Sequence, residues 1–203
     1  MIVVVDYGMG NLKSVLNAFA KLGAGVTVSG DPATVEEASA IVVPGVGAFG
    51  RCMENLESRG LAPAIREHIR RDKRYLGICL GMQVLFESSE EAPGVKGLGI
   101  IKGAVPRFTG SSMKVPHMGW NSVDIRKQSP ILKGINPGDF FYFVHSYYCA
   151  PDDGSVIATT TDYDGPFASS VETGALFACQ FHPEKSQRVG LTLLRNFLTL
   201  AGG

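Results

Sequence analysis

The sequence has no excess of charge of either sign. Nineteen Lys and Arg residues are matched by nineteen Asp and Glu among 203 residues. With no surplus of cations to neutralise phosphates, nucleic acid is not an expected partner. Long apolar runs are missing too. Met1-Ile2-Val3-Val4-Val5 stops at Asp6, with no cationic segment ahead of it. That is too short for a signal-peptide core or a membrane span, so a buried first strand is expected. There is no Cys-x-x-Cys pair: Cys52, Cys79, Cys149 and Cys179 stand far apart. The spacing argues against a disulfide framework and a zinc site, and for reduced thiols in the cytoplasm. Internal repeats, low-complexity tracts and a dividing linker are absent as well. One domain over residues 1–203 is therefore expected, with 45% hydrophobic residues to fill its core. Gly8-Met9-Gly10 could open a dinucleotide fingerprint, but the third glycine is missing because position 13 is Lys13.

What is present alternates between two kinds of segment. Ile2–Val5 is a β-branched run followed by glycines. Leu12, Val15, Leu16, Phe19 and Leu22 then recur at three- and four-residue spacing, one apolar stripe on a helix opened by Asn11. Gly25–Val28 and Ala40–Val43 read as the next strands. Helical patterning runs from about Arg51 to Arg71, with a break near Gly60 and Pro63. Tyr75–Ile78 is a fourth strand and Leu80–Phe86 the start of another helix. Apolar strands separated by helices predict an α/β fold with a mostly parallel central sheet covered on both faces. In the second half, strand-like runs crowd together at Gly99–Ile101, Phe140–Val144, Val156–Thr160, Ala168–Glu172 and Leu176–Phe181. They predict antiparallel strands attached to the parallel sheet. A last helix follows Ser186, with Val189, Leu193 and Phe197 at four-residue spacing.

The sharpest chemical signal is Gly77-Ile78-Cys79-Leu80-Gly81, placed where a strand turns into a helix. It has the form of a nucleophile elbow with cysteine in place of serine. A thiol there would lie at the positive end of a helix, which favours thiolate, and the Leu80 amide would be a natural oxyanion donor. Taken alone, the same residues also fit a buried core cysteine. Phe181-His182-Pro183-Glu184 adds weight to the first reading. Proline keeps His182 extended, and in extended chain residues two apart face the same way. Glu184 can then hold one imidazole nitrogen while the other points at a nucleophile, which is the logic of a catalytic triad. Pro44-Gly45-Val46-Gly47 after the third strand could present backbone N–H groups, Val46 included, to an oxyanion; by itself it is also an ordinary turn. His145 is the rival base. His117 has no ligand set around it and reads as structural, and Cys52, Cys149 and Cys179 read as small hydrophobes.

Pro44-Gly45-Val46-Gly47, Gly77-Ile78-Cys79-Leu80-Gly81-Met82-Gln83, His145-Ser146-Tyr147-Tyr148 and His182-Pro183-Glu184 together resemble the ordered signature of the class I glutamine amidotransferases, whose fold is flavodoxin-like. Within that family, Asp6-Tyr7-Gly8-Met9-Gly10-Asn11-Leu12, Pro116-His117-Met118-Gly119-Trp120-Asn121 and Glu184-Lys185-Ser186 are similar to the glutaminase subunits of imidazole glycerol phosphate synthases. The likeness spans nearly the whole chain. It implies that Cys79 is the nucleophile, His182 the base and Glu184 its orienter. It also implies that Gln83, Ser146 and Tyr147, with backbone near Gly47 and Leu80, hold glutamine. No metal and no cofactor are implied.

The resemblance further implies a separate cyclase subunit as partner in a heterodimer. Nothing in the chain resembles a domain that would use ammonia: there is no Walker loop and no second Gly-rich phosphate motif. Pro116, Met118 and Trp120 form an aromatic–apolar cluster of the kind that anchors interfaces, and the resemblance sets it at the docking surface; the alternative is that Trp120 is core. Three other readings stay open at this point: a glutaminase serving another synthase, another cysteine hydrolase on the same fold, and a catalytically silent binding subunit.

Overall fold

Strands that are apolar along nearly their whole length form the middle of the molecule. A computed structural model describes residues 1–109 and 114–202. The first half contains β1 (Ile2–Val5), α1 (Leu12–Lys21), β2 (Thr27–Ser29), α2 (Pro32–Glu37), β3 (Ala40–Gly45), α3 (Phe49–Ser58), α4 (Leu61–Arg70), β4 (Arg74–Cys79) and α5 (Leu80–Gln83). The second contains β5 (Ser88–Ser89), β6 (Gly103–Val105), β7 (His117–Ser122), β8 (Asp124–Ile125), β9 (Phe140–His145), β10 (Ala150–Pro151), β11 (Ile157–Asp162), β12 (Pro166–Thr173), β13 (Leu176–Cys179) and α6 (Gln187–Leu200).

The main sheet runs β2-β1-β3-β4-β13-β12-β11-β8. Its first five strands are mutually parallel, and β12, β11 and β8 continue it antiparallel. Both predicted features, a parallel core and an antiparallel extension, are present. Alternate residues along each central strand feed different cores: Val3, Ile41 and Tyr75 pack with α3 and α4, while Val4, Val42 and Leu76 pack with α1 and α6. Burial on both faces is why these strands read as continuous apolar runs. The helix predicted from Leu12 forms with Asn11 as its N-cap, its side-chain oxygen accepting from Ser14 N at 3.3 Å. The break near Gly60 is a left-handed residue at φ 69° between α3 and α4.

Several boundaries differ from expectation for identifiable reasons. The strand expected over Gly25–Val28 begins at Thr27, because Leu22, Gly23 and Ala24 N–H groups are still bonded to carbonyls of α1. The helix expected over Leu80–Phe86 is a single turn, and Gly99–Ile101 is not a strand. One cause accounts for both. Leu98 N binds Val84 O, Gly97 N binds Glu87 O, Gly99 N binds Phe86 O, and both Ile100 and Ile101 N bind Leu85 O. The 97–101 segment takes the carbonyls a longer helix would have used, and is itself consumed in doing so. α2 carries only one buried apolar residue, Val35, so periodicity gives it no signal; its start is marked by Asp31 capping Thr34 N at 2.8 Å ahead of Pro32.

Two smaller sheets lie outside the main one: β10-β6-β5, and an antiparallel ribbon of β7 with β9. The ribbon is joined to the main body at its β9 edge, where His182 N donates to Tyr142 O at 2.9 Å and Tyr142 N donates to Ser186 Oγ at 3.0 Å. Among the described residues no helix is long and apolar enough to cross a membrane.

Candidate active site

Three neighbouring parallel strands, β3, β4 and β13, end together, with Gly45 opposite Cys79 in register and Cys179 opposite Ile78. This is the carboxyl edge where open α/β sheets bind ligands. Cys79 closes β4 at φ 54°, ψ −104°, a conformation that side-chain-bearing residues seldom adopt. The flanking glycines make the turn sterically possible. A Cβ on Gly81 would lie 1.9 Å from Val43 O, and one on Gly77 would lie 2.5 Å from Gly81 O. The turn is also tied from within by Tyr75 OH, which donates to Gly81 O at 2.6 Å. Because α5 is one turn long, any help to a thiolate comes from the few free amides of that turn rather than from a long dipole.

His182 is extended at φ −104°, ψ 93°, and Pro183 starts a 3-10 turn, Pro183–Lys185, that carries Glu184 back toward the imidazole. His182 Nδ1 is bonded to Glu184 Oε1 at 2.8 Å, with both side chains 1% exposed. The other nitrogen, Nε2, is sealed from solvent and forms no hydrogen bond of ordinary geometry. Cys79 is nevertheless its strongest electrostatic neighbour. Burial lowers the proton affinity of the imidazole, but Cys79 and then Glu184 raise it by more, to about 10. The sulfur therefore acts on the ring without forming a hydrogen bond of ordinary geometry to it.

Cys79 opens into a cavity of about 300 Å3. Of the residues predicted to hold glutamine or an oxyanion, Val46, Gly47, Leu80, Gln83, Ser146 and Tyr147 all line it. Gly47 has φ 113°, a backbone conformation that residues with a side chain rarely adopt, so glycine suits that position. Pro116, predicted for the partner surface, lines the cavity too, whereas Met118 and Trp120 point away and are 62% and 46% exposed. The structure thus decides against Trp120 as a core residue. A larger groove of about 710 Å3 between residues 125 and 137 contains none of the predicted site residues.

His145 also lines the cavity, but it has no nitrogen to spare. Its Nδ1 donates to Tyr147 O at 2.8 Å, so its Nε2 must accept, from His117 Nδ1 at 2.9 Å. His117 Nε2 is then an acceptor facing Asn121 Nδ2 at 3.2 Å. The carbonyl at one end fixes the tautomer of both rings. Burial holds them neutral, lowering His117 to about 4 and His145 to about 3. His117 lies between Tyr163 and Phe143, with ring centroids 3.9 and 4.8 Å away, in keeping with the structural role expected of it.

Two polar residues at the site escaped sequence reasoning. Glu91 lines the cavity and accepts from Phe49 N at 2.7 Å; it sits in a loop without any local pattern. Gln180 is fully buried and donates to Cys79 Sγ at 3.4 Å. It stands two residues before His182, the same spacing that singled out Glu184, and could have been found by it. The four cysteines are all buried free thiols.

Comparison with known proteins identifies the family. Residues 3–201 match the model of the family described as Glutamine amidotransferase class-I. The chain belongs to the class-I glutamine amidotransferases, and it is an enzyme of that class. Within the class it is similar to imidazole glycerol phosphate synthase subunit HisH. It is 50% identical to that subunit from Syntrophotalea carbinolica over 97% of this chain and 98% of the relative. It is 53% identical to the one from Aquifex aeolicus over 96% and 94%. Among solved structures, a glutamine amidotransferase superposes over 100% of both chains with a TM-score of 0.75 at 20% identity. PurLQS from Thermotoga maritima matches 98% of this chain and 97% of its own, with a TM-score of 0.75 at 19% identity. At such identities these two speak for the fold alone.

Proposed function

We propose that the chain is the glutaminase subunit of an imidazole glycerol phosphate synthase, hydrolysing glutamine through Cys79, His182 and Glu184. The observation that carries this reading is a strained, cavity-facing thiol that acts electrostatically on a buried imidazole already held by a carboxylate. Glutamine enters the cavity with its carboxamide toward Cys79. Glu91 is a carboxylate suited to the substrate ammonium group, and Gln83, Ser146 and Tyr147 supply further polar contacts. The thiolate adds to the carboxamide carbon, and the oxyanion that forms is met by backbone N–H groups of Val46 and Leu80. Protonated His182 gives its proton to the leaving nitrogen, ammonia departs, and a thioester remains. Water, deprotonated by His182, then attacks the thioester and releases glutamate, restoring the thiolate–imidazolium pair. Throughout, Glu184 holds Nδ1 and stabilises the charged ring.

Ammonia is mostly protonated in neutral water, so release into bulk solvent would waste it. We infer a separate cyclase subunit that receives it and forms imidazole glycerol phosphate and aminoimidazole carboxamide ribotide, in keeping with the name of the similar subunits. The outward face of the ribbon supports a docking role: Met118, Trp120 and Phe140 are large apolar side chains left 62%, 46% and 55% exposed. The test is glutamine hydrolysis by the wild-type chain and Cys79→Ala, each with and without the cyclase and its ribonucleotide ligand. Glutamate production should vanish in the variant and rise with the cyclase in the wild type. Activity that survives Cys79→Ala would remove the nucleophile.

A further inference from the structure

We propose that Gln180 is a positioning residue for the nucleophile, its side-chain amide holding the Cys79 sulfur in line with the cavity and favouring the thiolate. The proposal rests on Cys79 being the nucleophile. Gln180 Nε2 donates to Cys79 Sγ at 3.4 Å. An amide can present either its N or its O, and here the choice is forced from the other side. Gln83 Nε2 donates to Gln180 Oε1 at 3.0 Å, which leaves the Gln180 NH2 pointing at sulfur. Gln83 is oriented in turn, because the same Nε2 donates to Tyr147 O at 3.2 Å, the carbonyl that also receives His145 Nδ1. The polarity of the whole chain of bonds is therefore set by one backbone oxygen.

The reason for an amide here is that it cannot take the proton. His182, on one side of the sulfur, must exchange a proton with it and with the leaving group. A second base on the other side would compete, and a second cation would bind the thiolate too firmly. A neutral N–H donor stabilises the anion and fixes its direction without entering the proton traffic. Cys79 in turn acts on Tyr7, Cys149 and Cys179, whose own protons burial holds more tightly, so of the groups it touches electrostatically His182 is the one that carries charge at neutral pH. Gln180 is thus an uncharged hydrogen-bond partner of a sulfur whose charged neighbour is His182.

The test is the rate of Cys79 alkylation by iodoacetamide across pH, followed by peptide mapping, on the intact chain carrying Gln180→Met or Gln180→Glu. Both substitutions approximate the volume of glutamine. The expected result is a pH midpoint of alkylation moved up by about one unit in Gln180→Met, and a rate at neutral pH lower by roughly tenfold. Gln180→Glu, which sets a carboxylate beside the thiolate, should move the midpoint further. kcat for glutamine should fall in both, with KM within about threefold of wild type. A merely structural Gln180 would lower the melting temperature and leave the midpoint in place; that outcome in a folded variant overturns the proposal. If Gln180→Met does not fold, the isosteric Gln180→Glu carries the test alone, and an unmoved midpoint in it is equally fatal. Cys79→Ala, assayed in parallel, keeps the two questions apart. If it still hydrolyses glutamine, the nucleophile itself is wrong; if it is inactive while Gln180→Met behaves as wild type, only the role of Gln180 falls.

Discussion

Histidines 145 and 182 both stand close to Cys79, and their surroundings drive them in opposite directions. His182 has a carboxylate on one nitrogen and sulfur near the other, and binds its proton tightly. His145 has a carbonyl on one nitrogen and His117 on the other, and resists protonation. His182→Ala should therefore cost about two to four orders of magnitude in turnover, as loss of a positioned acid–base group does. His145→Asn should act chiefly on stability and on KM, since the carbonyl of Tyr147 loses a donor. Finding His145→Asn the more damaging to kcat in steady-state assays would reverse the assignment. The paired rings also set a pH dependence. Unfolded, both would titrate near pH 6.5; folded, they stay neutral to about 4 and 3. Between those limits the unfolded chain binds more protons, so the stability they contribute is complete above about pH 6.5 and is lost as pH falls toward 4. Urea unfolding at pH 7.5 and 5.0 should show the decline, and His117→Gln should flatten part of it. An equally steep decline in the variant would mean that the pair does not titrate as described.

Among the elements, the ribbon of β7 and β9 has the most divided role. Successive residues of a strand face opposite ways, so His117 is buried in the aromatic cluster while Met118 and Trp120 face outward. Trp120→Ala should leave the melting temperature of the lone chain within about 2 °C of wild type while weakening cyclase binding by at least roughly tenfold, measured by titration calorimetry. A fall in melting temperature without a change in affinity would return Trp120 to a packing role. At the elbow the constraint is steric. Gly81→Ala would press a methyl group onto Val43 O, so the expected outcome is lost glutaminase activity together with lower stability in thermal melts. A fully active Gly81→Ala chain would mean that β3 and the elbow can separate at little cost.

Across the whole molecule, legibility in the sequence followed locality. The central strands, α1 and α6 could be read because burial of an entire strand or one helix face leaves a periodic trace over neighbouring residues. The thiol and the His182–Glu184 pair could be read because glycine and proline impose local geometry. The 80–101 region could not, because the carbonyls of residues 84–87 are satisfied by residues ten or more positions away, and such pairings leave no period. β7 escaped for a related reason: its glycine and alternating exposure weaken any apolar run, and its partner β9 lies some twenty residues on. Glu91 belongs with these, since only the folded chain brings its loop to the cavity.

The same ribbon has a thermodynamic consequence. Its inner end supplies Val144 and His145 to the cavity, its β9 edge holds the backbone of His182, and its outer face is the proposed seat of the cyclase. If docking on that face changes the affinity of the cavity for glutamine by some factor, glutamine must change the affinity for the cyclase by the same factor, because the four states form a closed cycle. Substrate would then act as an assembly signal. In the Cys79→Ala chain, where bound glutamine is not consumed, saturating glutamine should lower the Kd for the cyclase by as much as the cyclase lowers the Kd for glutamine. Both constants come from calorimetry on the same two proteins, and two unaffected affinities would show that ribbon and cavity are held rigidly enough to ignore each other.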